Sequence, residues 1–315
     1  MPGVITSASI DAQQTLKARE EDFVTRFSKN WDMLRAILGI MRPIRKTPGT
    51  QLVSYEAKMT DSALQGGTSV AEGATIPATQ FEVEAVYKDD IEIAKYKKAV
   101  SVEAVAKWGA AIAIEKTDDQ FLVELQNKTM GDFYTFIKTG TLKGTQKTWQ
   151  RALAIAKGAV LQKFANMQRT VTDVVGFANI MDLYNYLGDA PITVQTAFGL
   201  QYVKDFMGYS TLLLLPDNAI PQGTVIATPV ENIDLYYIDP SDSDFAKLGL
   251  DFTVEGETNL IGFHAEGNYS NATGESYAIT GLKLWAEFLD GICVVTVGSS
   301  NSAPAVASGS ASSGS

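Results

Sequence analysis

The side chains that could do chemistry in this sequence are few and poorly grouped. The single histidine, His264, stands in Leu260-Ile-Gly-Phe-His-Ala265, a run of strand character, so any serine or cysteine nucleophile would need it as base. No G-x-S-x-G elbow accompanies it, and it reads as a strand histidine facing solvent or a neighbour. The single cysteine, Cys293, lies in Ile292-Cys-Val-Val295 and reads as a small buried hydrophobe. One cysteine and one histidine cannot form an intrachain disulfide, a structural zinc site or a haem attachment motif. Gly140-Thr-Leu-Lys-Gly144-Thr-Gln-Lys147-Thr148 has the composition of a phosphate loop, but its spacing is wrong and it follows a helix, so a plain helix-to-helix connection is expected. Asp239, Asp242 and Asp244 offer oxygens to a hard cation without the glycine and distant glutamate of an EF-hand, and read as a solvated acidic loop. The sequence therefore predicts no catalytic residue, no metal site and no cofactor.

A chain of 315 residues, 45% hydrophobic and 20% charged, is long enough to bury a large core and to divide into two domains. Its 26 Lys and Arg against 36 Asp and Glu leave a net charge of −10, the wrong sign for holding nucleic acid through its phosphates. The first basic residue is Lys17, so no early cationic targeting region precedes it and a cytoplasm is the expected compartment. The longest apolar runs, Leu212 to Leu215 and Ile292 to Val295, have strand length, far short of the roughly 20 residues that cross a bilayer. The N-x-Ser/Thr triplets at Asn127, Asn268 and Asn271 are read as chance.

The elements that would position these residues follow from periodicity. From Ile10 to Met41, Leu16, Phe23, Phe27, Trp31, Leu34, Leu38 and Met41 recur at helical spacing, which predicts one amphipathic helix or two, and Pro43, Pro48 and Gly49 end it. Period-two alternation then marks two strands of one hairpin, weakly through Leu52, Val53, Tyr55, Ala57 and Met59 and clearly through Phe81, Val83, Ala85 and Tyr87. Between them Asp61 to Pro77 holds neither period and predicts a long projecting loop whose ordering needs contacts from a partner chain. A helical segment follows from Ser101 and breaks at Gly109. Thr117-Asp-Asp-Gln120 then reads as a capping box opening a helix of about 30 Å, which Gly140 ends in a left-handed conformation. A further helix is expected from Thr148 to Ala165, and a short one at Ile180 to Leu187. Strands are expected at Thr170 to Val175, Leu212 to Leu215, Val225 to Ala227, Leu235 to Ile238 and Phe252 to Val254. Two more, Gly281 to Phe288 and Ile292 to Val297, flank the turn signal Asp290-Gly291. Helices and strands do not alternate regularly, so the class is α+β.

Three stretches in this order resemble the major capsid proteins of tailed bacteriophages, with the Hong Kong-type capsid fold. Val70-Ala-Glu72-Gly73-Ala-Thr-Ile76-Pro77 is similar to the family's EG-x-x-P segment at the base of its extended loop. Ser101-Val-Glu-Ala104, Gly109, and Thr117 through Phe136-Ile-Lys-Thr-Gly140-Thr141 resemble its spine helix and exit. Gly281-Leu-Lys-Leu-Trp-Ala-Glu287 through Val297 resembles its closing strands.

The resemblance implies an N-terminal helical arm (1–49), an extended-loop hairpin (50–84), a peripheral domain with the spine helix (85–148 and 258–289), an axial domain (149–257 and 290–298) and a flexible Ser/Gly/Ala tail (299–315). Subunit contacts would come from Leu64, Gln65, Gly66, Gly67, Glu72, Gly73, Ile76 and Pro77 of the loop and from Phe23, Phe27 and Trp31 of the arm. Function would be structural: pentamers and hexamers closing an icosahedral head around double-stranded DNA contacted non-specifically. The chain would be assembled in the host bacterial cytoplasm and found in the virion. Fewer than 50 residues precede the loop, so a separate scaffold protein is expected, with a portal and decoration proteins as further partners and no membrane. Lys58 lies in the loop strand, but no second residue pairs with it by motif, so no crosslink is carried over. Two other readings stand beside this one, an encapsulin-like compartment shell and a soluble α+β enzyme of unrecognised type.

Overall fold

Where strands are buried on both faces their sequences lose alternation and become apolar runs, and the centre of this fold is built that way. The computed structural model describes residues 12–39, 43–61, 65, 70–188, 194–197 and 200–298. In chain order these form α1 (Ala12–Leu38), β1 (Ile44–Lys46), β2 (Gln51–Met59), β3 (Phe81–Asp90), β4 (Ala94–Ser101), α2 (Val102–Trp108), a π-helical turn (Ala111–Glu115) and α3 (Lys116–Ile137). Then come β5 (Leu142–Gln146), α4 (Trp149–Asn166), β6 (Val174–Asn179), α5 (Ile180–Leu187), β7 (Gln195–Ala197), β8 (Leu200–Phe206), β9 (Tyr209–Leu215) and β10 (Thr224–Pro229). The chain closes with β11 (Ile233–Ile238), α6 (Ser243–Ala246), β12 (Gly262–Asn268), β13 (Thr273–Thr280), β14 (Lys283–Ala286) and β15 (Cys293–Val297). The class is α+β, as the irregular order of helices and strands requires.

A seven-stranded mixed sheet, ordered β5-β15-β10-β6-β9-β8-β7, divides the interior. Successive residues point to opposite sides of it. Val175, Phe177, Leu213, Leu215 and Ile226 join a core with α1 and α3, while Val174, Ala178, Leu212, Leu214, Val225 and Ala227 join a second core under α4. The apolar run Leu212 to Leu215 is thus a central strand feeding both sides. Helix α4 starts on Thr148, whose hydroxyl accepts from the Arg151 N–H, and buries Trp149, Leu153, Ala156, Val160 and Phe164. Two three-stranded sheets, β12-β13-β4 and β1-β11-β14, flank this centre. The antiparallel pair β2-β3 forms a sheet of its own.

Several local expectations are corrected. Thr117 does not cap a helix: α3 continues from the π-helical turn, and the Thr117 hydroxyl donates to the carbonyls of Ala113 and Ile114. Gly140 is not left-handed; glycine is needed there because a Cβ would lie 2.7 Å from the Ile292 carbonyl oxygen. The 140–148 connection contains a strand, β5, lying parallel to β15, which no local period announced. The strand expected at Thr170 to Val175 begins only at Val174, and Phe252 to Val254 reduces to one bridge, Thr253 to Phe263. The two closing strands do not form a hairpin: β14 pairs with β11, whereas β15 pairs with β10 and β5. Pairing also runs between the expected segments, since β5 of the peripheral one joins β15 of the axial one, and β11 of the axial one joins β14 of the peripheral one and β1 of the arm.

Candidate functional site

The residues of catalytic type are used to hold elements together. His264 lies on β12 with Nδ1 3.3 Å from Glu20 Oε1 and Nε2 3.9 Å from Glu266. Glu20 is itself buried: Oε1 accepts from the Ala265 N–H at 2.6 Å and Oε2 from the Thr253 hydroxyl at 2.5 Å, and Lys17 donates to that hydroxyl at 2.7 Å. The array fastens α1 to the sheet, and its one hydroxyl is engaged on both sides. Cys293 is buried, and burial pushes its thiol up to about 12, far from a reactive thiolate. The acidic loop is satisfied internally, with Arg45 3.2 Å from both Asp239 and Asp242 and with Ser241 donating to Asp239. Among the described residues no group of three His, Cys, Asp or Glu side chains is placed to hold a metal ion. Among them, too, no helix is long and apolar enough to cross a membrane.

A second polar node joins the same helix to the body. Asp118 in the first turn of α3 accepts from Arg19 Nε at 2.6 Å and Nη2 at 2.8 Å, and from Lys98 at 2.5 Å. Burial alone would raise the Asp118 carboxyl, but the hydrogen bonds from Arg19 and Lys98 outweigh it and hold it below its usual value. Arg19 also donates to Ser276 on β13, so α1, α3 and β4 meet at one carboxylate and Arg19 extends the node to β13.

These bonds decide the fate of the expected arm contacts. Phe23, Phe27 and Trp31, expected to touch a neighbouring subunit, are fully buried in their own chain. Phe23 stacks on Phe263 with ring centroids 4.1 Å apart, and Leu34 and Leu38 complete the stripe. At about 1.5–3 kcal/mol for each buried side chain, α1 is a structural wall of the subunit and not a free arm.

The loop residues behave oppositely. The ribbon β2-β3 touches the body at its base, where Leu52 and Ile91 pack with Ile238 and Trp285. Beyond Tyr55 the pairing runs on to Met59 and Phe81 after a bulge, and both Glu82/Glu84 and Phe81/Val83 are exposed, the last two by 62% and 63%. Phe81 and Val83 alternate with Glu82 and Glu84 along β3, and neither set is covered. At the tip, Gln65, Glu72, Gly73 and Pro77 are exposed and Ile76 is 74% exposed. Leu64, Gly66 and Gly67 lie outside the described residues. The described tip is tied across the ribbon by Gln65 N–H to Thr79 Oγ1 and Gln80 N–H to Asp61 Oδ2, and Gly73 turns at φ 81°. What this arrangement offers is an uncovered strand with Phe81 and Val83 on one face and Glu82 and Glu84 on the other.

No protein-family model and no curated protein matches the chain. Among solved structures, it is similar to the virus-like particle from Pyrococcus furiosus, at 12% identity over 88% of this chain and 99% of that one, with a TM-score of 0.44. It is also similar to an encapsulin complex from Synechococcus elongatus (9% identity, 84% and 87% covered, TM-score 0.49) and to the capsid of cyanophage A-1(L) (12% identity, 84% and 92% covered, TM-score 0.47).

Proposed function

We propose that this chain is a structural shell subunit, the major capsid protein of a tailed bacteriophage, which builds pentamers and hexamers of an icosahedral head around double-stranded DNA. One observation carries the reading: the β2-β3 ribbon. A two-stranded ribbon without a third strand is marginal in water, and this one exposes Phe81, Val83 and Ile76, whereas the stripes of α1 and α4 are buried. Such a surface is ordered when another copy covers it, and repeated head-to-tail coverage closes into rings. The sequence resemblance at Glu72-Gly73 to Pro77 falls on this same ribbon. In this reading the segments around α3 form the periphery of a capsomer and those around α4 its centre. The role is not enzymatic, assembly takes place in the host bacterial cytoplasm on a separate scaffold protein, and a portal is a further partner. The net charge of −10 suits a container that need not grip what it holds.

Negative-stain electron microscopy after size-exclusion chromatography, with absorbance read at 260 and 280 nm, tests it. Closed shells, tubes or capsomer rings are expected. A protein that stays monomeric both alone and with lysate of scaffold-expressing cells overturns the reading.

A further inference from the structure

The charges of this chain are divided along its sequence. The segment 133–172 carries seven Lys and Arg and no Asp or Glu, whereas 173–257 carries two Lys and thirteen Asp and Glu. Helix α4 lies in the cationic segment and covers one face of the seven-stranded sheet. At about 100° per residue, Arg151, Ile155, Leu161 and Gln162 all fall within about 60° of Gly158, on the side away from the buried stripe. Their exposure agrees: Ile155 is half-buried, Leu161 is 39% exposed, and Arg151, Gly158 and Gln162 are exposed. A Cβ on Gly158 would meet nothing within 4 Å, so this glycine answers no neighbour in its own chain. The one charge on the ridge is Arg151. No carboxylate among the described residues pairs with it, whereas Lys163 is matched by Asp290 at 2.5 Å.

A groove of about 650 Å³ opens on the other face of the sheet, beside the end of α1. Thr211 lines it, and the next residue, Leu212, points to the α4 side. Ala36, Ile44, Val230 and Ile233 give it apolar walls. The carboxylates of Asp173, Asp205, Glu231 and Asp234 stand around it against a single cation, Lys204. Burial raises the Asp234 carboxyl above its usual value, against the hydrogen bond from Tyr236 and the charge of Lys46, which marks a carboxylate short of counter-charge. The groove thus has the sign and the apolar lining that the α4 ridge lacks a partner for.

We infer that the outward ridge of α4 docks on this groove in the next copy of the chain, with Arg151 set among the four carboxylates. Ridge and groove lie on opposite faces of one sheet, so a chain cannot fill its own groove. The contact is therefore heterologous, the kind that closes into rings, and its charges fix which surface meets which. It rests on the shell reading and adds to it the pair of surfaces that meet between neighbours, separate from the ribbon.

Cys293 is buried, which leaves introduced cysteines as the reactive ones. Ala154 is exposed one turn beyond Arg151, and Thr172 lines the groove beside Asp173. Ala154→Cys and Thr172→Cys chains, mixed and oxidised with copper phenanthroline, are expected to form a disulfide-linked dimer that neither forms alone, and a chain carrying both substitutions a ladder of covalent oligomers. In sedimentation velocity Arg151→Glu weakens self-association roughly tenfold, and adding Asp173→Arg restores it to within about threefold. Lys29→Glu makes the same change of charge on an exposed position of α1 and leaves association within about twofold of the native chain. Unchanged circular dichroism shows that each variant keeps the fold. Absence of the mixed disulfide, a dimer formed as readily by Ala154→Cys alone, or equal weakening by Lys29→Glu overturns the inference. Shells of normal shape without the mixed disulfide would sink the α4 contact and leave the shell reading standing; a disulfide ladder from a chain that never forms rings or shells would do the reverse.

Discussion

Helix α1 and the β2-β3 ribbon are neighbours in sequence and opposites in fate. Both carry regular apolar patterns, one of period 3.6 and one of period two. Phe23, Phe27 and Trp31 end at zero exposure against the subunit's own sheet, while Phe81 and Val83 stay more than half exposed. Periodicity identifies which side chains share a face; it is silent on whose surface covers that face. What separates the two regions is polar wiring. Helix α1 carries Arg19 and Glu20, each matched to buried partners within the chain, and such bonds fix a helix to one surface. The ribbon's outer charges, Glu82 and Glu84, are exposed, and its tie to the body is made at the base, where Lys283 meets Asp89.

Breaking the α1 side should produce the largest effect. Trp31→Ala or Phe27→Ala removes a fully buried aromatic ring and is expected to cost about 3–5 kcal/mol, read as a lower urea midpoint of the isolated subunit. A midpoint unchanged by either would mean that α1 is the free arm its sequence resemblance implies. Asp118→Asn comes next, at about 3 kcal/mol, because it leaves Arg19 and Lys98 side by side without a counter-charge. Its pH signature has a definite sign. A carboxyl held below its usual 3.8 contributes stability that is present above that value and lost as pH falls through the lower, folded one. Between pH 5 and 2 thermal melts of the native chain should therefore fall more steeply than those of Asp118→Asn.

The ribbon side should respond in the other currency. Phe81→Ser with Val83→Ser is expected to move subunit stability by less than about 0.5 kcal/mol and yet to abolish shells in electron micrographs. A large loss of stability would place the ribbon in the subunit's own core and erase the contrast. His264→Ala sharpens it at the small end: the ring is half exposed and Glu20 keeps its bonds to Ala265 and Thr253, so a change below about 1 kcal/mol is expected by calorimetry.

These same residues show what was legible in the sequence. The helical stripe of α1, the ribbon, the helix α4 and the buried Cys293 could all be read, because each depends on local spacing. Strand β5 could not, since Leu142 to Gln146 owes its extended form to β15 far along the chain. Thr117 misled because Thr-x-x-Gln makes a cap only where a helix begins, and here the preceding turn is already helical. The loop residues Gln65, Glu72, Gly73, Ile76 and Pro77 are exposed in the structure.

Strand β15 carries a consequence for timing. Cys293 pairs with Leu142 on one side and Ala227 on the other, so the last of the described strands is laid between two that have left the ribosome well before it. Until then β5 has no sheet to join, and the core under α4 lacks Cys293 and Val295. Pairing so distant in sequence is slow to form. A nascent chain therefore lacks the finished sheet however much of its ribbon is already made, and translation itself delays the moment at which a subunit becomes competent to meet its neighbours.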